Sequence, residues 1–335
     1  QVQTGNDGLD ALFGALIVRQ SAKQDPHHEL YDEDHHSVLI SELPSADASL
    51  GSASLLINGQ PFGQDSHNVV AQLNVTANRR HRLRIAYAVT SLSCPISVAV
   101  EGHSLLIIAL DGHPIQPVAT LSIRLAPGER VDAVLTADQT VGHYRLTAHT
   151  GDNCPTSVHS SALISYQTDQ PPSLPPSPPP LSHSHKAKGL STVGDGECGG
   201  GGSTGLVCLP KIRSLTKIPP ELTAERLDFT LYLPFDFVQP TLRSAFDDPE
   251  VVPRLNNLTL MFPSSPLLSQ LDSLEPGVVC SADSRPTHCE HSDARVCECT
   301  HVIDIPLHTP VELVLIDQGS GGAGEHVFHM HGYSV

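Results

Sequence analysis

Short apolar segments rich in β-branched residues, each closed by Gly, Pro, Asn or Asp, recur through the first half of the chain. They are Leu12–Val18, Val38–Ile40, Leu55–Ile57, Val69–Val75, Leu83–Val89, Ile96–Val100, Leu105–Leu110, Leu121–Leu125, Val131–Leu135, Tyr144–Ala148 and Leu163–Tyr166. Turn residues separate them at intervals of roughly ten positions, which is the spacing of strands in a β-sandwich. Between residues 31 and 166 no segment sustains apolar residues three and four apart, so helices, and with them a βαβ architecture, are not expected. The expectation is an all-β Greek-key domain.

After Tyr166 the grammar stops. The stretch QPPSLPPSPPPLSHSHKAKG followed by Gly199–Gly202 reads as a linker, extended and then flexible. Cys198 and Cys208 flank the glycines and are placed to close a small loop. Strand patterning resumes at Phe229–Leu233, Leu258–Phe262, Val302–Ile305 and Val311–Ile316, so a second β domain begins here.

Composition narrows the partners. Against 19 Lys and Arg stand 36 Asp and Glu, a net charge of −17, which argues against binding nucleic acid or another polyanion. With 39% apolar and only 16% charged residues the chain is globular rather than disordered. No apolar run reaches the ~18 residues of a membrane span, and the opening QVQTGNDGLD lacks the basic start and apolar stretch of a signal peptide. The chain opens without Met and stops at Val335 within strand-like sequence, so a fragment lacking both ends is expected. Eight cysteines together with the sequons at Asn74 and Asn257 point to an oxidising, glycosylating compartment, hence a secreted protein.

The residues that carry chemistry are the last ten. His326, His329 and His331 fall within six positions beside Gly332, which is metal-ligand spacing. On an extended strand His329 and His331 share a face and His326 lies on the other, so one segment serves two metal centres roughly 10 Å apart. Imidazole suits copper, zinc, iron and nickel alike, and the spacing alone names no metal.

Other clusters have plainer readings. His183 and His185 sit in the Ser/Pro tract beside Lys186 and Lys188, a solvated linker. His27, His28, His35 and His36 are interleaved with Asp25, Glu29, Asp32, Glu33 and Asp34, and the default there is a hydrated acidic loop that holds a cation loosely at most. Cys280, Cys289, Cys297 and Cys299, with His288 and His291, lack paired zinc knuckles, so disulfides are expected, with Cys297 and Cys299 bonded to different partners. Whether Cys94 pairs with Cys154 stays open. Pro127-Gly128 makes a turn that Glu129, Arg130 and Asp132 are expected to orient by pairing with one another. His103 reads as packing, with cleft lining as the alternative.

The tail also resembles the His-Pro-Phe-His-Leu-His-Gly motif of multicopper oxidases, with Val327 for the Pro and Met330 for the Leu. Three blocks extend the resemblance, which is nearest to laccases of arthropods and other animals. GLDALFGALIVRQ with DPHHELYDEDHHSVLI resembles the end of the family's first cupredoxin domain. LLINGQ, RHRLRIAYAVTSLSCPISVAVEGHSLLIIALDGHPIQPV and LAPGERVDAVLTADQTVGHYRLTAH resemble the second, and NNLTLMFPSSPLLSQL with CECTHVIDIPLHTPVELVLIDQG the approach to the third.

The resemblance implies tandem cupredoxin-like Greek-key sandwiches, truncated at both ends: the end of domain 1 at 1–30, a copper-free domain 2 at 31–167, the linker at 168–215, and the start of domain 3 at 216–335. It makes His326 a ligand of the type 1 copper, His329 of the type 2 copper and His331 of the paired type 3 coppers. The implied activity is one-electron oxidation of a phenolic small molecule coupled to reduction of O2 to water, in a secreted protein with a possible anchor outside this stretch. The family's other His-x-His ligands and its His-Cys-His segment are absent, so residues 1–335 alone are expected to be inactive. Rival readings are a ferroxidase, for which Glu325 beside His326 is the candidate acidic residue, and a non-catalytic secreted module.

Overall fold

Apolar–polar alternation in the sequence becomes alternation of buried and accessible side chains in the computed structural model. The structure describes residues 14–43, 54–61, 70–89, 94–151, 154, 157–168, 190–191, 207–208, 211–223, 227, 229–238, 252–274, 277–281, 284, 289, 297–319, 326, 328 and 330–332. The chain divides into two compact units, Gln1–Lys217 with Glu325–Val335, and Ile218–Gly324.

The first unit carries β1 (Glu33–Leu43), β2 (Ser54–Ile57), β3 (Gln60–Pro61), β4 (Gln72–Thr76), β5 (Arg80–Ala88), β6 (Ile96–Val100) and β7 (Leu105–Leu110). It continues with β8 (His113–Thr120), β9 (Ser122–Leu125), β10 (Arg130–Thr136), β11 (His143–Thr150), β12 (His159–Gln167), β13 (Leu190–Ser191) and β14 (Val207–Cys208). Two seven-stranded sheets result, ordered β3-β2-β1-β5-β10-β7-β8 and β14-β13-β9-β6-β11-β12-β4. β1 lies parallel to β5 because the chain leaves the first sheet to form β4 and then returns, a crossover that parallel neighbours require. The all-β sandwich expected from the sequence is the observed architecture.

The two sheets share one core. Val38, Ile40, Leu83, Ile85 and Ile107 of the first sheet and Ile96, Val98, Leu146 and Ile164 of the second are all essentially without solvent exposure in a single cluster. Each such side chain contributes about 1.5–3 kcal/mol by burial. The tight hairpins are built by residues that tolerate a left-handed backbone: Asn58-Gly59 between β2 and β3, and Asp111-Gly112 between β7 and β8, have positive φ at both positions, as a type I′ turn needs. The Asn58 side chain also accepts from the Leu39 N–H and donates to the Ser37 carbonyl, tying that turn to β1. β8, which the alternation does not reveal, contains Pro114 and Pro117 and sits at the sheet edge, where a missing N–H is tolerated.

The second unit holds β15 (Phe229–Val238), β16 (Val252–Leu255), β17 (Thr259–Leu260), β18 (Val279–Cys280), β19 (Glu298–His301) and β20 (Val311–Asp317), in three-stranded sheets β16-β15-β20 and β17-β19-β18. A single α-helical turn, Leu267–Gln270, precedes β18. No helix among the described residues is long and apolar enough to cross a membrane.

Several local expectations are corrected. Residues 14–18, within the stretch expected as a strand at Leu12–Val18, are outside the strands, with Leu16 and Val18 exposed. A strand exists only when paired, and no ladder among the described residues reaches it. The Val302–Ile305 strand is displaced to β19, just before it, because that is where β17 and β18 supply backbone partners. At the Pro127-Gly128 turn, Glu129 accepts the Ala126 N–H at 2.7 Å, and Arg130 donates to the Gly128 carbonyl and pairs with Asp111. Asp132 instead binds Arg82, since strand alternation aims it at the neighbouring β5 rather than at the turn.

The cysteines form Cys94–Cys154, Cys280–Cys299 and Cys289–Cys297, so Cys297 and Cys299 do take different partners. The zinc alternative is thereby excluded for those four cysteines; His288, His291 and Cys198 lie outside the described residues. Cys94 and Cys154 are separated by 60 residues, a loop whose closure removes much entropy from the unfolded chain. Replacing both by Ala is expected to destabilise the first unit by about 2–5 kcal/mol, read as a lower urea midpoint by circular dichroism.

Candidate metal centre

Two of the three tail histidines fall within the described residues. His326 and His331 are exposed, and His329 lies outside the described residues. Residues 326, 328 and 330 are in no β-ladder, and His331-Gly332 forms a turn in which Gly332 has φ +91°, a conformation only glycine adopts at no cost. The regular strand that would put His326 opposite His329 and His331 is therefore not what the described residues form. The donor chemistry still suits a metal: imidazole nitrogen is a fitting ligand for copper, zinc, iron or nickel. His183, His185 and Glu325 lie outside the described residues.

The segment read as a hydrated acidic loop is instead built into the sandwich. Asp32 accepts from the Arg80 backbone and guanidinium, Asp25 and Asp132 both hold Arg82, and Arg84 pairs with Asp34. Tyr31 donates to Asp25 and lies under the Arg82 guanidinium, 5.3 Å from it. The reason is the outward row Arg80, Arg82, Arg84 on β5, which gathers the carboxylates that the sequence shows only as a cluster. The Arg80 hydrogen bonds lower the Asp32 carboxyl to about 2. Burial raises Asp25, but the Tyr31 hydroxyl, the His27 N–H and Arg82 outweigh it and leave its carboxyl below the usual range.

Two of the four histidines there are interior. His27 and His36 are buried, and burial first, then the neighbouring His35 and His81 rings, pushes His36 down to about 4, so its imidazole is neutral at pH 7. His81, which no motif marks, is completely buried at the start of the inward face of β5. His103 is a packed core residue: Nδ1 lies 2.6 Å from the Glu101 carbonyl and Nε2 2.5 Å from the Tyr166 hydroxyl, with Tyr144 edge-on.

Residues 25–169 and 264–335 each match a family model described as multicopper oxidase, and together they take in well over half of the sequence. The chain belongs to the multicopper oxidase family. Laccase-2 of Trametes versicolor is 26% identical over 337 residues, covering 97% of this chain and 55% of the relative. Laccase-1 of Pleurotus ostreatus is 34% identical over 155 residues, 42% of this chain and 27% of the relative. Among solved structures, Fet3p, described as a multicopper oxidase that functions in iron import, aligns with a TM-score of 0.51 at 13% identity, over 86% of this chain and 49% of that one. The chain thus spans about half the length of the curated relative it matches from end to end. Membership of this family implies copper as the cofactor.

The carboxylates give a pH test. A carboxyl that binds its proton less readily when folded contributes stability fully above the ordinary value of 3.8 and loses it as pH falls through the lowered one, here toward about 2 for Asp32. The first unit is therefore expected to weaken as pH drops below about 4. Asp25→Asn is expected to lower stability at pH 7 and to flatten that acid decline, followed by tyrosine fluorescence in urea, since the chain has no Trp.

Proposed function

We propose that this chain forms the second-domain and early third-domain portion of a secreted, copper-dependent oxidase that removes single electrons from diphenols and reduces O2 to water. The division at residues 30, 167 and 215 is part of the same reading. The observation that carries it is the segment His326-Val-Phe-His329-Met-His331-Gly332, lying within the second stretch that matches the family. Laccases among the relatives support a phenolic reductant.

His326 would hold the type 1 centre, His329 the type 2 and His331 the paired type 3, each through an imidazole nitrogen. Copper, when bound, would supply the one-electron redox chemistry. Accessibility of His326 and His331 fits residues completed by ligands from outside residues 1–335. Gly332 fixes the chain direction just after the last donor, and its positive φ makes it hard to replace. The paired cysteines and exposed Asn74 and Asn257 support passage through an oxidising, glycosylating compartment.

A second reading changes the reductant to Fe(II), motivated by Glu325 directly before His326. The full-length protein that carries this chain, purified and assayed for metal content and for O2 uptake with a diphenol and with Fe(II), separates the readings. Stoichiometric copper with preferred diphenol turnover is expected, and His326→Ala is expected to cut turnover at least ~100-fold with the fold intact by circular dichroism. A clear preference for Fe(II) would favour the ferroxidase. Absence of stoichiometric copper would leave a non-catalytic module. Residues 1–335 alone are expected to show no diphenol-driven O2 uptake.

A further inference from the structure

We propose that Glu33, His36 and His81 form a site for a divalent first-row transition ion, built from residues other than the tail histidines. Their ligand atoms all lie within 4.8 Å of one another, although His36 and His81 are 45 positions apart in sequence.

The register of β1 against β5 creates the cluster. Glu33 pairs with His81 and His36 with Leu83, so three steps along β1 answer two along β5. In a regular strand, residues three apart face opposite sides of the sheet. The extra residue of this bulge restores the parity and lets Glu33 and His36 both reach His81. Bulges commonly re-aim a side chain in this way.

The hydrogen bonds leave the donors unfilled. His81 Nε2 lies 3.0 Å from the Thr76 carbonyl oxygen and donates to it, which leaves Nδ1 as the ring nitrogen turned toward Glu33. Nδ1 sits 3.4 Å from Glu33 Oε2, within ion-pair reach but without hydrogen-bond alignment. Two acceptors facing each other in a buried place are reconciled by a cation between them. Ligands held ~2.0–2.2 Å from one tetrahedral ion lie roughly 3.3–3.6 Å apart, which the 3.4 Å between His81 Nδ1 and Glu33 Oε2 matches, and the 4.8 Å bound on the whole set asks for a small inward adjustment of His36 at most. His36 Nε2 is buried without a hydrogen-bond partner, and the residue is 8% exposed.

The Thr76 carbonyl plays the part of the outer partner that usually orients a ligating imidazole. Two imidazoles and one carboxylate select zinc-like ions over calcium or magnesium, which prefer oxygen ligands. Glu33 is half-buried and His35 Nε2 lies 3.7 Å from its Oε2, so the carboxylate marks the solvent side by which an ion enters. The rival arrangement is an imidazolium at His81 paired with Glu33, which takes up no metal.

The test uses the full 335-residue chain carrying His326→Ala, His329→Ala and His331→Ala, stripped of metal and titrated with Zn(II) against a chromophoric chelator. Retention of one Zn(II) per chain, together with a raised unfolding midpoint, is expected. Glu33→Gln in that background is expected to weaken Zn(II) binding at least tenfold and to abolish the rise in midpoint while keeping the far-ultraviolet circular dichroism. His81→Gln should do the same, and if it fails to fold, Glu33→Gln still decides. Failure of the tail-free chain to hold Zn(II), or unchanged binding in Glu33→Gln, overturns the site. Neither result bears on the tail, whose copper role is read from the full-length protein.

Discussion

The pairing of β5 with β1 and β10 organises most of what this chain does. One face of β5 sends Leu83, Ile85 and Tyr87 into the shared core, and the other presents Arg80, Arg82 and Arg84 to Asp32, Asp25, Asp132 and Asp34. The two faces need each other. Half-buried guanidinium groups in a sheet are costly unless their charge is met, and the acidic segment 25–34 meets it on one side while Asp132 of β10 meets it on the other. Carboxylates that would repel one another in a free loop thereby become the fastening of the N-terminal strand.

That arrangement explains why a histidine sits in the interior at all. β5 begins its inward row with His81 where an apolar residue would be expected, and β1 begins its own with His36. Each buried nitrogen without a partner costs about 1–3 kcal/mol, and Nδ1 of His81 and Nε2 of His36 are two such atoms side by side. The inward rows go on to Val38 and Ile40 in β1 and to Leu83, Ile85 and Tyr87 in β5, so apolar packing alone does not account for two imidazoles at their start.

The fold was legible in the sequence to the extent that it is written locally. Ile96–Val100 and Leu105–Leu110 can be read to the residue because alternation or a short apolar run bounded by turn residues is a local signal. β8 was not, because its two prolines and polar residues suit an edge strand and resemble a loop. Leu12–Val18 and Val302–Ile305 carry the composition of strands without taking that conformation among the described residues, since pairing is decided by distant partners. The separate partners of Cys297 and Cys299 followed from local geometry, but which cysteines those partners were did not.

The same distinction separates the two histidine groups. His326, His329 and His331 announce themselves because their ligand spacing lies within one short segment, and the family match covers that segment. His36 and His81 are invisible to any motif, because what joins them is the one-residue offset between β1 and β5, and an offset is a property of a pairing, not of either strand. Even the doubled histidines at 35 and 36 mislead: read in isolation with their acidic neighbours they suggest a hydrated loop, whereas alternation sends His36 inward and leaves His35 exposed. Moving the register by one residue would reverse that assignment and scatter Glu33, His36 and His81 to opposite faces. The bulge, rather than the histidines, is therefore the feature on which the cluster depends.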